Sequence, residues 1–313
     1  MSGGRNIVVF IYNIGRRLRV MNIRTIAVAL ALILLSGAIH AASPVVVTHE
    51  KDIVYARKFG LALTIDVMQP ARPNGRGILA LISGGWKSSN APVNPSNYAE
   101  FLDHGYTVFA VRHGSQPKFV ISEIAQDIHR AVRFVRHNAA RWNVRPDRLG
   151  ITGSSAGGHL SLTIGTKGGP GDPKAKDPVD RESSAVQAVA CFYPPTDFLN
   201  YGKEGFDGAG TGTLKNYMKA FGPKAETPEG RQELGRELSP IYYITEKMPP
   251  TFIVHGDADK LVPLQQSEIF IQRAAKLGAV ARLHIKPGAA HGWKNKGPER
   301  ALMADWFDKH LAD

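Results

Sequence analysis

Gly153-Ser154-Ser155-Ala156-Gly157 sets a serine hydroxyl between two glycines, each two residues away. An apolar run (149–152) leads in, and a helix-compatible run (156–164) leads out. Strand, sharp turn and helix form the context in which G-x-S-x-G presents a nucleophile. Such a turn forces Ser155 into a strained backbone conformation, where side chains two residues either side would collide. Glycine at 153 and 157 removes those side chains. The Ala156 amide opens the following helix, so its free N–H and the positive end of the dipole face any oxyanion formed there. A chain with 32 glycines produces this pattern by chance often enough that the motif needs partners.

A serine hydroxyl is a weak nucleophile at neutral pH. It needs a base to take its proton and a carboxylate to orient that base. The base is expected at His291, within Pro287-Gly-Ala-Ala-His-Gly-Trp293, where small neighbours and Gly292 suit a mobile loop presenting an imidazole. The acid is expected in His255-Gly-Asp-Ala-Asp-Lys-Leu-Val-Pro263. Two carboxylates compete there. Asp259, further out in the loop, is the expected orienter, and Asp257 is expected to hold the turn by side-chain-to-backbone bonds. His255 is read as structural. His159, one turn beyond the nucleophile, is read as a satisfied helix histidine, and His104, His129, His137, His284 and His310 as satisfied or solvated. The order nucleophile, acid, histidine is that of the α/β-hydrolase solution.

A second oxyanion donor is expected from the loop after the strand at 78–83. That loop reads Ser83-Gly84-Gly85-Trp86, and an N–H of Gly84, Gly85 or Trp86 would join that of Ala156.

These residues need a scaffold. Edge strands are expected at 53–59 and 61–68, and buried strands at 78–83, 107–111, 148–152, 186–193, 251–255 and 281–285. Helices are expected at 98–104, 122–142, 262–277 and 298–311. The alternation predicts right-handed crossovers and a mostly parallel central sheet flanked by helices. Ser155, Asp259 and His291 each follow a strand, so all three fall at the carboxyl edge, where open sheets bind ligands. Residues 167–184 read as an exposed loop. Residues 199–247, with weak helices at 214–221 and 231–238, read as a small lid insertion that shapes the substrate pocket.

The chain has 313 residues, 43% hydrophobic and 21% charged, which is globular composition with ample length for a large core. Residues 1–41 differ. A basic start (21–24), an apolar run (25–35) and a small-residue tail (36–41) form a secretory signal peptide, with cleavage expected near Ala41. Residues 1–20 read as an upstream extension, with Met21 an alternative start and Arg16-Arg17 a weak twin-arginine option. Residues 42–313 form the expected catalytic domain, secreted or periplasmic and without a stable membrane anchor after cleavage. The leader carries five arginines and no acids, so its loss lowers the formal charge of +12 by five. The remaining mild excess, without basic–aromatic clusters, argues against nucleic acid as a partner. The single cysteine, Cys191, excludes an intrachain disulfide and a multi-cysteine metal site.

Together these motifs resemble the α/β-hydrolase esterases of the lipase and carboxylesterase group, especially small secreted ones akin to acetylxylan and feruloyl esterases. The resemblance runs from about residue 61 to the C-terminus. It includes 63–67, the turn ending in Trp86, Asp127 with 131–136, the run 146–159, 193–197, 255–263 and 291–293. It implies an α/β-hydrolase fold and a serine esterase with no metal or organic cofactor, acting on small or polysaccharide-linked acyl esters. Asp127 and Asp197 would be structural anchors. The sequence departs from the group at Ile82-Ser83, where relatives carry His-Gly, and at His113-Gly114, where many carry Tyr-Arg. A peptidase or amide hydrolase of the same fold is the alternative function, and a non-catalytic binding protein a more distant one.

Overall fold

The computed structural model describes residues 47–312. The expected leader therefore lies outside the described residues. Eight strands form one sheet: β1 (Val47–Lys58), β2 (Leu61–Pro70), β3 (Gly77–Leu81), β4 (Thr107–Val111), β5 (Leu149–Ser154), β6 (Ala188–Phe192), β7 (Thr251–Gly256) and β8 (Ala281–Lys286). Their order is β1-β2-β4-β3-β5-β6-β7-β8. The β1–β2 and β2–β4 pairs are antiparallel, and every other pair is parallel. This is the α/β-hydrolase sheet that the sequence predicts.

The central strands β3, β4 and β6 are buried at every position. Alternate side chains feed two cores. Leu79, Leu81, Val111 and Ile151 join one, under α2 (Ile121–His137), α3 (Ala156–Lys167) and α6 (Gln265–Lys276). Ile78, Ala80, Val108 and Ala110 join the other, under α1 (Ala99–Asp103) and α7 (Gly297–His310). Helices on both faces explain why these strands read as continuous apolar runs rather than alternating ones.

Three boundaries differ from expectation. The helix expected to reach residue 142 ends at His137, where the Asn138 side-chain amide caps the Phe134 carbonyl (2.8 Å) beside the Asn138 backbone N–H (3.1 Å). A 3₁₀ turn, Ala139–Trp142, follows and closes on Asn143 at φ 51°. The helix expected from residue 262 begins at Gln265, since Asp259 holds the Leu261 and Val262 amides. The first strand is already formed at Val47, ahead of the expected residue 53, and turns back through Phe59-Gly60, both with positive φ.

The insertion carries a 3₁₀ turn (Gly212–Tyr217), α4 (Met218–Phe221), another 3₁₀ turn (Pro223–Glu226) and α5 (Pro228–Leu238). Tyr201, Leu214, Phe221 and Leu234 are buried in the first core. Apolar packing, rather than helix propensity, holds this segment. No helix among the described residues is long and apolar enough to cross a membrane.

Candidate active site

β5 delivers Ser155 at φ 55°, ψ −118°, a conformation that a non-glycine residue adopts only under constraint. Two bonds hold it there. The Ser155 N–H donates to the Phe192 carbonyl (3.0 Å), and its own carbonyl accepts from the His159 N–H (2.9 Å). The flanking glycines meet as the sequence requires. A Cβ on Gly153 would lie 2.5 Å from the Gly157 carbonyl carbon.

The structure brings Ser155, His291 and Asp259 into one hydrogen-bonded chain. His291 Nε2 lies 3.0 Å from Ser155 Oγ, and His291 Nδ1 lies 2.7 Å from Asp259 Oδ2. A carboxylate can only accept, so Nδ1 carries the proton and Nε2 is left to accept from the serine. Asp259 is buried. Burial alone would raise its pKa. The nearby His255 N–H, hydrogen bonds from His291 and the Val262 N–H, and the charge an imidazolium brings outweigh that and hold the carboxyl well below the usual range.

Neighbouring groups fix the partners. His255 Nε2 donates to the Val262 carbonyl (2.9 Å) and lies 3.5 Å from Asp259, while its Nδ1 accepts from Ser267 Oγ (2.7 Å). Asp257 accepts the Gly288 N–H (2.6 Å) and Ala258 N–H donates to the Ala289 carbonyl (3.1 Å). These bonds link Gly288 and Ala289, ahead of His291, to the loop that carries Asp259. The Tyr193 ring packs against His291 with centroids 4.6 Å apart. Asp127 accepts the Gly114 N–H (3.0 Å) and pairs with Lys58, and Asp197 accepts from Leu199, Asn200 and Tyr242. Both acids thus serve as anchors away from the serine.

The glycine turn needs one correction. The Gly84 N–H donates to the Lys87 carbonyl (2.9 Å), and Lys87 returns the bond (3.0 Å). Gly84 is therefore not available as an oxyanion donor. Gly85 and Trp86, both at positive φ, form the tip of this tight turn, and their N–H groups make no hydrogen bond among the described residues. A Cβ on Gly85 would meet the Tyr217 ring at 2.3 Å, so only glycine fits.

Where relatives carry a histidine, other groups anchor the turn. Trp86 is buried among His159, Phe198, Tyr217 and Phe221. Its indole N–H donates to His159 Nδ1 (3.2 Å), and His159 Nε2 in turn donates to the Leu238 carbonyl (2.8 Å). Gln116 clamps the tip: its N–H meets the Trp86 carbonyl (3.1 Å) and its amide meets the Gly85 carbonyl (3.3 Å). Sequence reasoning missed Gln116, because nothing in its local pattern marks a residue that acts across the loop.

His104, Asp305 and Asp308 offer three ligand atoms within 4.8 Å of one another. His104 precedes β4 and both aspartates lie on α7, away from Ser155, and Asp308 already pairs with His104, Tyr106 and Arg76. Cys191 is a free, fully buried thiol whose pKa burial pushes far up, which leaves it inert.

The esterase LipQ of Mycobacterium tuberculosis is 26% identical over 236 residues, covering 72% of this chain and 52% of its own. The acetylxylan esterase of Xylanibacter ruminicola is 28% identical over 271 residues, covering 82% and 48%. The chain spans about half the length of the curated relatives it matches. Among solved structures, a truncated carbohydrate esterase from gut microbiota superposes with a TM-score of 0.72 at 26% identity, covering 87% of this chain and 99% of that one. The BD-FAE family model matches residues 65–274, a segment that carries the serine turn and Asp259 but stops short of His291. That match takes in most of the chain, and the chain belongs to the BD-FAE family of α/β-hydrolase proteins.

Proposed function

We propose that the protein is an exported serine esterase that hydrolyses short-chain or aromatic acyl esters, including those on plant polysaccharide. One observation carries this reading: the unbroken relay from Ser155 Oγ through His291 to the buried Asp259, built on a strained serine turn. Ser155 Oγ attacks the ester carbonyl carbon while His291 Nε2 takes its proton. The oxyanion accepts from the Ala156 N–H and from that of Gly85 or Trp86. The carbon–oxygen bond to the alcohol then breaks, and His291 returns the proton to the departing oxygen. Water, deprotonated by the same imidazole, releases the acid and restores the serine. Asp259 keeps the imidazole in the productive tautomer and stabilises its cation. The insertion, packed on the glycine turn, acts as a fixed wall of the pocket. The names of the acetylxylan esterase and the carbohydrate esterase support the polysaccharide-linked version.

The mature protein is expected to hydrolyse p-nitrophenyl acetate, and Ser155→Ala to lose at least about a thousandfold in kcat. A fluorophosphonate should label Ser155. Wild-type activity in the variant, or no labelling of the native protein, would overturn the reading. Faster turnover of aminoacyl amides than of esters would assign a peptidase instead.

A further inference from the structure

From β3 the chain runs to α1 on one face of the sheet, and from β5 to α3 on the other. The carboxyl ends of these neighbouring strands part there, and such a crevice is where open sheets bind ligands. A cavity of about 250 Å³ fills it, with Ser83, Ser154, Asn97, Tyr98, Phe192 and Arg300 in its wall. Ser154 adjoins Ser155 in the chain, so the cavity abuts the nucleophile turn. The relay described above uses none of its polar side chains.

Two of those side chains lack a protein partner among the described residues. Ser83 Oγ is buried without a hydrogen-bond partner. Arg300, in the first turn of α7, has a guanidinium that makes no hydrogen bond or ion pair among the described residues. Arg300 and Tyr98 share the cavity wall. Burial raises the pKa of the Tyr98 phenol, and the Arg300 charge works against it. Glu100 on α1 turns instead toward Gly297, and no ion pair joins it to Arg300. A second cation stands at the same rim. Lys296 Nζ lies over Phe192 (5.9 Å) and Tyr193 (5.5 Å) and forms no ion pair among the described residues. A guanidinium held in no ion pair in a half-enclosed space favours an anion, and its planar fork matches a carboxylate.

We propose that this cavity is a subsite for a carboxylate borne by the ester substrate, held by Arg300 with the Ser83 hydroxyl and Asn97 amide as further donors. The inference rests on the esterase reading. The carboxylate is a bystander to bond making and breaking, and its effect is on recognition.

The carboxylate can belong to the acyl or to the alcohol portion, and two matched pairs separate these sources. Mono-p-nitrophenyl glutarate is compared with its neutral methyl ester for the acyl side. 4-Acetoxybenzoate is compared with methyl 4-acetoxybenzoate for the alcohol side. Each rate is normalised to that with hydroxide. The native protein is expected to favour the charged member of one pair by about tenfold in kcat/KM, mainly through KM. Arg300→Gln should erase that preference, Arg300→Lys should keep part of it, and Asn97→Asp, at an exposed wall position, should weaken it. Each ratio is internal to one preparation, so a partly folded variant still reports it. No preference in either pair, or a preference that survives Arg300→Gln, overturns the subsite. Hydrolysis of the neutral esters without preference sinks this inference alone, whereas hydrolysis of none of the four sinks the esterase reading with it.

Discussion

Asp259 and Asp257 stand two residues apart, yet their surroundings give them different work. Asp259 spends one oxygen on the Leu261 and Val262 amides and the other on His291. Asp257 is bonded only to a backbone N–H of the histidine loop. Replacing Asp259 by Asn keeps the shape but presents an amide that favours the wrong imidazole tautomer. Asp259→Asn is therefore expected to lower kcat by about 10⁴, with KM little changed. Asp257→Asn should cost far less, since its carbonyl oxygen can still take the Gly288 N–H. Steady-state kinetics on both variants check this, and a larger loss for Asp257→Asn would reverse the assignment. The choice between the two acids was legible in the sequence because a turn-holding acid belongs near the strand end, and an orienter further out.

At the scale of elements, the serine turn is fixed by its own sequence, while the opposing glycine turn is fixed from outside. Gln116 and His159 lie 31 and 73 positions from the turn residues that they hold. Gln116→Ala removes the side-chain clamp on Gly85 but keeps the backbone bond to Trp86. The turn tip should then wander, and a donor displaced by about an ångström costs on the order of ten- to a hundredfold in kcat. Thermal melting should shift little, because the fold does not depend on this loop. An unchanged kcat would mean that Trp86 packing alone suffices. The same distance explains what could be read beforehand. The parallel core was legible because strands buried on both faces write continuous apolar runs into the chain. The glycines at 153 and 157 were legible because their collision is local. The helix break at Asn138 and the delayed start of α6 were not, since each depends on a side chain that bonds to nearby backbone. The fixation of the glycine turn was not either, because no local period records a contact made across the fold.

For the whole molecule, three buried histidines couple folding to acidity. Burial pushes the pKa of His113, His129 and His159 down to about 4. Each is neutral in the fold, and an exposed histidine in the unfolded chain titrates near 6.5. Between those values the unfolded chain binds protons that the folded one refuses, so stability rises with pH across that window and falls as acid is added. Above about pH 7 their contribution is fully present. The limiting slope for three protons is about 4 kcal/mol per pH unit. Asp127 opposes this slightly, because burial raises its pKa and acid then favours the folded form. Asp259, held low, adds to the loss at still lower pH. His159 gives the effect a functional edge. A proton on its Nδ1 displaces the Trp86 indole N–H, so acid loosens the turn that carries the Gly85 and Trp86 amides. The melting temperature should hold level from pH 8 to 7 and drop steeply between pH 6.5 and 4.5. His129→Gln, which removes one such site bonded only to Ser184, should flatten the drop by about one proton's worth. Calorimetry across this range decides the matter: a melting temperature unchanged from pH 7.5 to 5 would mean that these imidazoles reach water before the fold opens.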